Sequence, residues 1–269
     1  MKTVVITGSA KGLGFELAKE FKKNNYNIVI SDITKEKLEE SEKYLTNNIT
    51  SSSKVISVLC DVTKEQDLQN LINKTLENFK TIDIWINNAG VNQQMIPIWE
   101  LENESIHRII DIDLRSSIIA AKLVMKQMIK QGDGQIYGIE GYGSNDATML
   151  GLSIYGTSKR AITYFYKALA KEVKEKKLNI KIGLLAPGIM ITDFLTTSVE
   201  NKKFELSEKT KKVYNILGDY PEPIAKFLVS KIITNKQNNV RFNWLTNKKA
   251  ALRFMTSSFN KRDFFTSKK

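Results

Sequence analysis

The sequence predicts an α/β protein, a doubly wound parallel sheet in a single domain. Short, uniformly apolar runs alternate with segments of helical periodicity from the first residues onward. Those runs lack the apolar–polar alternation of a half-exposed sheet, so helices are expected on both faces. A length of 269 residues with 42% hydrophobic content suffices for one large core and does not force a second. Right-handed crossovers then dictate the double winding.

The first unit pairs a strand at Val4–Ile6 with a helix over 13–23, where Leu13, Leu17, Ala18 and Phe21 recur at helical spacing. Strands follow at Ile28–Ile30, Val55–Leu59 and Ile82–Ile86, with helices from about Lys35 and Glu65 between them. Helical patterns cover 103–130 and 153–176, and apolar runs at 135–139 and 180–186 continue the sheet. Beyond Pro187 the alternation weakens. Residues 190–215 read as a flexible, partly helical excursion, a helix begins after Pro221 and Pro223, and Val240–Leu245 forms a last strand. The domain is expected to span 1–246, with 247–269 a basic amphipathic tail.

The net charge of +12 is unevenly placed. Residues 1–200 hold 25 Lys/Arg against 24 Asp/Glu, whereas residues 201–269 hold 16 against 5. The excess is either a solvated basic surface or a patch for anionic lipid or an acidic partner. No nucleic-acid-binding motif accompanies it, so no nucleic acid partner is expected. Read as a helix, 248–260 places Ala251, Leu252, Met255 and Phe259 on one stripe beside basic residues, as interfacial helices do. So short a helix has little apolar area for anchoring. Packing over a pocket or a neighbouring subunit is therefore expected ahead of membrane contact. No run is long enough for a membrane span, and the opening apolar run is too short for a signal segment. Cys60 is the single cysteine, which excludes an internal disulfide and makes a reduced, cytoplasmic setting the default. No cluster has metal-ligand spacing, so no metal is expected. His107, on a polar helix, reads as a surface residue.

Residues 7–14 read TGSAKGLG between a strand and a helix. Glycines at Gly8, Gly12 and Gly14 permit a tight turn and close approach of a pyrophosphate, which the helix N-terminus stabilises. In this Rossmann-type setting Ser9, Lys11 and Leu13 belong to the same loop. Asp32 ends the second strand, 18 residues after Gly14. A carboxylate there accepts from ribose hydroxyls and repels a 2′-phosphate, favouring NAD over NADP. Lys11 argues mildly the other way. Asp61 either faces the adenine or, with Thr63, caps the next helix.

TGSAKGLG, Asp61-Val62, Asn87-Asn88-Ala89-Gly90, Tyr155-Gly-Thr-Ser-Lys159 and Pro187-Gly188 with Thr192 together resemble the short-chain dehydrogenase/reductase family. Within it the chain looks most like the chlorophyll(ide) b reductase branch, through IWINNAG, GYGSND before IYGTSK, and PGIMITDFL. The resemblance implies hydride transfer between a nicotinamide cofactor and an alcohol or carbonyl, and a homo-oligomer. Asn88, Ala89 and Gly90 would line the cofactor, with Pro187, Gly188 and Thr192 at its carboxamide end. Tyr155 would exchange the proton with the substrate oxygen. Lys159, one turn away, would stabilise its phenolate and lower its pKa.

Two positions depart from the family pattern. The substrate-orienting serine falls on Tyr142, so Ser144, 11 residues before Tyr155, is the expected stand-in; Glu140 is read as a solvated strand-end residue. The helix asparagine falls on Asp113, which would meet Lys159 directly or through water. Met95, Ile96, Ile98, Trp99, Met149, Leu150 and Leu152 suggest an apolar substrate or simply core. Against the reductase reading stand a non-catalytic dinucleotide-binding module and a membrane-surface reductase subunit.

Overall fold

A computed structural model describes residues 1–259 and 261–265. Seven parallel strands form one sheet in the order β3-β2-β1-β4-β5-β6-β7. They are β1 Thr3–Thr7, β2 Asn27–Asp32, β3 Val55–Leu59, β4 Ile84–Asn87, β5 Gly134–Ile139, β6 Ile180–Ala186 and β7 Val240–Asn243. The predicted doubly wound sheet is therefore present, with its direction of winding reversing between β1 and β4. A reversal of this kind opens a crevice at the carboxyl ends of the strands.

Strand alternation sends side chains to two cores. Val5, Val29, Trp85 and Ile136 face one layer, built from α3 (Glu65–Phe79), α5 (Ser116–Gln131) and α6 (Ser153–Glu175). Val4, Ile6, Ile28 and Ile84 face the other, built from α1 (Gly12–Lys23), α2 (Lys35–Asn48) and α8 (Pro221–Thr234). Each such aliphatic side chain contributes about 1.5–3 kcal/mol by leaving water. Cys60 is buried in the first core, and burial pushes its thiol up to about 12, so it packs as a small apolar group. His107 is exposed on α4 (Asn103–Ile109).

Two segments differ from the periodicity reading. The helices expected over 103–130 are joined without a break by a π-helical stretch at Ile110–Arg115. Hydrophobic periodicity cannot register the one-residue slip of an i→i+5 turn. The helix expected after the two prolines includes them, because Pro221 and Pro223 lie in the first turn, where no N–H is needed. The excursion after β6 contains a short 3₁₀ turn, Asp193–Thr196, and a helix, α7, at Glu208–Leu217.

The tail forms α9, Asn247–Thr256, with Thr246 Oγ1 accepting from Lys249 N at 3.2 Å. Asp219 anchors it. Its carboxylate binds Arg253 at 2.8 Å and Arg262 at 3.2 Å and accepts from Trp244 Nε1 at 2.7 Å. The apolar stripe points the other way. Leu252 is 57% exposed, Met255 71% and Phe259 92%, so the expectation that it packs over the pocket is not met within this chain. Arg253 occupies the inward face because Asp219 offers it a paired, partly buried site.

Candidate active site

The glycine loop sits at the β1–β4 reversal. Gly8 and Gly12 have φ near +60°, a left-handed conformation that costs glycine little. A Cβ on Gly8 would lie 2.7 Å from the Ala89 Cα, and one on Gly14 2.5 Å from Asn88 Nδ2. Close packing of loop on loop thus excludes side chains at both. Asn88 locks the arrangement, its Nδ2 donating to Thr7 O (2.9 Å) and Gly8 O (2.8 Å). Its side chain is thereby spent on shaping the loop.

Around Gly12 the space is open, with nothing within 4 Å of a would-be Cβ. Helix α1 begins there without a side-chain cap and without an acidic residue in its first turn. Helix geometry leaves the N–H groups of Gly12, Leu13 and Gly14 without intrahelical acceptors, and the helix dipole adds positive potential. An uncapped, unobstructed N-terminus fits a dinucleotide pyrophosphate.

Other residues expected at the cofactor have their side chains engaged elsewhere. Ser9 is fully buried, its hydroxyl donating to Ile6 O at 2.7 Å and accepting from Ser31 N at 3.0 Å, while its N–H donates to Ser31 O. It holds the loop from beneath instead of facing a ligand. Leu13 and Val62 are core residues, leaving only their backbones to a ligand. Asp32 stands at the end of β2, accepting from Thr34 N at 3.2 Å and Ala10 N at 3.4 Å. Thr34 makes no side-chain capping bond. Asp61 accepts from Thr63 N and Oγ1 at 3.0 and 2.7 Å, a local turn, and these bonds with nearby Lys64 outweigh burial to hold its carboxyl below the usual range. Lys11 is exposed beside Gly12. Gly188, with φ +74°, packs on Leu245 after β6, and Thr192 precedes the 3₁₀ turn.

Tyr155 and Lys159 lie on the first turns of α6, both buried. The Lys159 ammonium pairs directly with Asp113 at 2.8 Å, and the two side chains are 7% and 0% exposed. Asp113 lies in the π-helical stretch, and its other oxygen accepts from Val91 N at 2.8 Å. Gly90 covers the pair; a Cβ there would sit 3.5 Å from the Asp113 oxygens and Lys159 Nζ. Burial pushes the Tyr155 phenol up to about 12; Lys159 pulls down, while Asp113 and Tyr214 push up. Lys159 acts in the expected direction, and burial outweighs it. Burial opposes the Lys159 charge, but Asp113 and Tyr155 raise its pKa above the usual ammonium value.

Ser144 is buried, with its hydroxyl accepting from Gly141 N at 3.2 Å and donating to Lys159 O at 3.3 Å. It ties the loop after β5 to α6. In this arrangement it does not offer that donor to a substrate, contrary to the expected stand-in role. Tyr142 points outward to donate to Thr148 O at 3.0 Å. The residue against the Tyr155 hydroxyl is Gly141, where a Cβ would come within 2.3 Å. Glu140 is buried instead of solvated, paired with Arg241 at 2.6 Å and accepting from Thr163 Oγ1 at 3.0 Å. Its partner comes from β7, far away in sequence.

Several site residues were invisible to motif reading. Gln93 Oε1 accepts from Ile154 N at 2.9 Å and Tyr155 N at 3.1 Å, capping α6 at the tyrosine itself. Phe194, from the excursion, packs at a tilt with its ring centroid 6.1 Å from that of Tyr155. Of the apolar pocket candidates, Trp99 and Leu150 are exposed and Leu152 is buried. The only sequence cue to Gln93 was its position three residues after Gly90. Among the described residues no group of acids, histidines or cysteines could hold a metal, and no helix is long and apolar enough to cross a membrane.

A dinucleotide cradle at the sheet reversal, with a buried Tyr–Lys pair one crevice away, defines a nicotinamide-dependent oxidoreductase fold. The family model for short chain dehydrogenases matches residues 2–203, and the chain belongs to that family. Over 98% of its length it is 30% identical to a probable chlorophyll(ide) b reductase, chloroplastic, of Arabidopsis thaliana, of which it covers 54%. It thus spans about half the length of that relative. Glucose 1-dehydrogenase 2 of Bacillus subtilis is 30% identical over 83% of this chain and 84% of its own. Among solved structures, a short chain dehydrogenase from Bacillus anthracis superposes with a TM-score of 0.74 at 26% identity, covering 90% and 94% of the two chains. A 3-ketoacyl-(acyl-carrier-protein) reductase from Brucella melitensis, complexed with NADH, shares the fold at TM-score 0.78 and 21% identity, over 92% and 98%. The likeness to the chlorophyll(ide) b reductase branch read from the motifs is borne out.

Proposed function

We propose that this protein is an NADH-dependent carbonyl reductase or alcohol dehydrogenase for an apolar substrate. The observation that carries the reading is the buried Tyr155–Lys159–Asp113 cluster beside an uncapped glycine-loop helix. When bound, the nicotinamide would supply or accept the hydride. Gly12, Leu13 and Gly14 would hold the pyrophosphate through backbone N–H groups, and Asp32 the adenosine ribose. Ala89, Gly90, Pro187, Gly188 and Thr192 would border the nicotinamide end. Tyr155 exchanges a proton with the substrate oxygen, and Phe194 keeps its surroundings apolar. A reduced, cytoplasmic setting and a homo-oligomeric state remain part of this proposal.

The test is a panel of aldehydes and ketones assayed with NADH and with NADPH. NADH is expected to bind more tightly by about 1–3 kcal/mol, a factor of roughly 5 to 150. Equal or tighter NADPH binding would shift the cofactor assignment to Lys11. Turnover should vanish in Tyr155→Phe; activity within about tenfold of the parent would mean that another group moves the proton.

A second reading rests on the exposed α9 stripe. Leu252, Met255 and Phe259 face solvent, with Lys248 and Lys261 exposed nearby. An aromatic, apolar stripe flanked by cations suits an anionic bilayer surface, which would deliver an apolar substrate.

A further inference from the structure

We propose that Asp113 is a positioning residue that neutralises the Lys159 ammonium and so keeps Tyr155 a proton donor, a site arranged for carbonyl reduction through neutral pH and for alcohol oxidation only at alkaline pH. This rests on the reductase reading of the same site.

A lone ammonium beside a phenol stabilises the phenolate. Here the ammonium lies 2.8 Å from a carboxylate that is itself wholly buried. Such a pair presents a dipole to Tyr155, with Asp113 offsetting part of the pull of the ammonium. The carboxylate is fixed as well as close, because Val91 N donates to it at 2.8 Å from the strand-end loop and the π-helical stretch turns it inward. Gly90 leaves room for both charges at once.

The other groups facing this cluster do not restore a positive field. Tyr214 reaches Tyr155 from α7, and Tyr166, on α6, faces Lys159; both add to the negative side if ionised. Asn87 and Ser117 hold the Tyr166 hydroxyl, at 2.7 and 3.2 Å. Burial pushes the Tyr155 phenol up to about 12; Lys159 pulls against it, and Asp113 and Tyr214 offset that pull.

In reduction a bound dihydronicotinamide dinucleotide would supply the hydride to the carbonyl carbon and would itself be oxidised. The carbonyl oxygen takes the Tyr155 hydroxyl proton, and solvent later reprotonates the phenolate. A high-lying phenol is present as the acid throughout neutral pH. Oxidation needs the phenolate at the outset, so its rate should climb only with rising pH.

The experiment titrates Tyr155 in the protein without added cofactor, by tyrosinate absorbance, taking the difference between the parent and Tyr155→Phe to isolate one of nine tyrosines. The parent should show no Tyr155 ionisation below about pH 10, the ordinary phenol value. Asp113→Asn should move its titration down by about one unit or more, and Asp113→Glu should restore it. The alkaline fall of the reduction rate should shift with it. Ionisation of Tyr155 near neutral pH in the parent, or an unmoved titration in a folded Asp113→Asn protein, overturns the proposal. Should Asp113→Asn not fold, Asp113→Ser is titrated in its place, with the same downward shift expected. Because the titration needs no turnover, its outcome is separate from the carbonyl panel: a failed panel with the expected titration removes the reductase reading while the Asp113 effect stands.

Discussion

Gly141→Ala offers a stringent test of how the site is assembled. A Cβ at this position would lie 2.3 Å from the Tyr155 hydroxyl and 3.0 Å from both Tyr155 Cζ and Lys159 Cγ. Ordinary contact begins near 3.4 Å, so the hydroxyl must retreat by about 1 Å. The start of α6 cannot follow, since Gln93 holds the Ile154 and Tyr155 N–H groups and Ser144 ties Lys159 O to the Gly141 loop. The ring must therefore rotate against Phe194. Overpacking of this kind costs about 1–3 kcal/mol of stability. A misplacement of roughly 1 Å at a reacting group costs on the order of 100-fold in rate, or about 2.7 kcal/mol. The assay is kcat at saturating NADH and carbonyl substrate, with a thermal melt alongside. A folded Gly141→Ala protein turning over within about threefold of the parent would refute the claim that Gly141 sets the hydroxyl position.

Two further outcomes test the cradle and the tail. Gly14→Ala places a Cβ 2.5 Å from Asn88 Nδ2 and 2.7 Å from Gly8 O, so the loop must part from Asn88; NADH affinity measured by calorimetry should fall at least about tenfold, a loss of about 1.4 kcal/mol, and unchanged affinity would show that the loop is not the cofactor cradle. If α9 meets a bilayer, full-length protein should co-sediment with anionic vesicles at low salt, release as salt screens the lysines, and lose binding when residues 247–269 are deleted; full-length protein that ignores such vesicles removes the membrane reading.

Local patterns in the sequence specify the parallel sheet and its double winding. Apolar runs such as Val4–Ile6 and Val55–Leu59 and the 3.6-residue periodicity of Leu13, Leu17 and Phe21 are local signals, and local burial patterns dictate them. The glycine loop and the Tyr155–Lys159 spacing were legible for the same reason: each is a short stretch whose backbone or helix face is fixed by a few neighbours. What tertiary structure decided is who meets whom across the chain. Asp113 reaches Lys159 across 46 positions because a π-helical slip turns it inward, and Arg241 finds Glu140 only once β7 joins the sheet beside β6. Ser144 stands near Tyr155 in sequence yet directs its hydroxyl at backbone groups. The α9 stripe, amphipathic by sequence, faces solvent because Asp219 draws Arg253 to the inner side. Amphipathicity specifies that a helix has two faces; which face turns inward depends on partners that only the folded chain brings alongside.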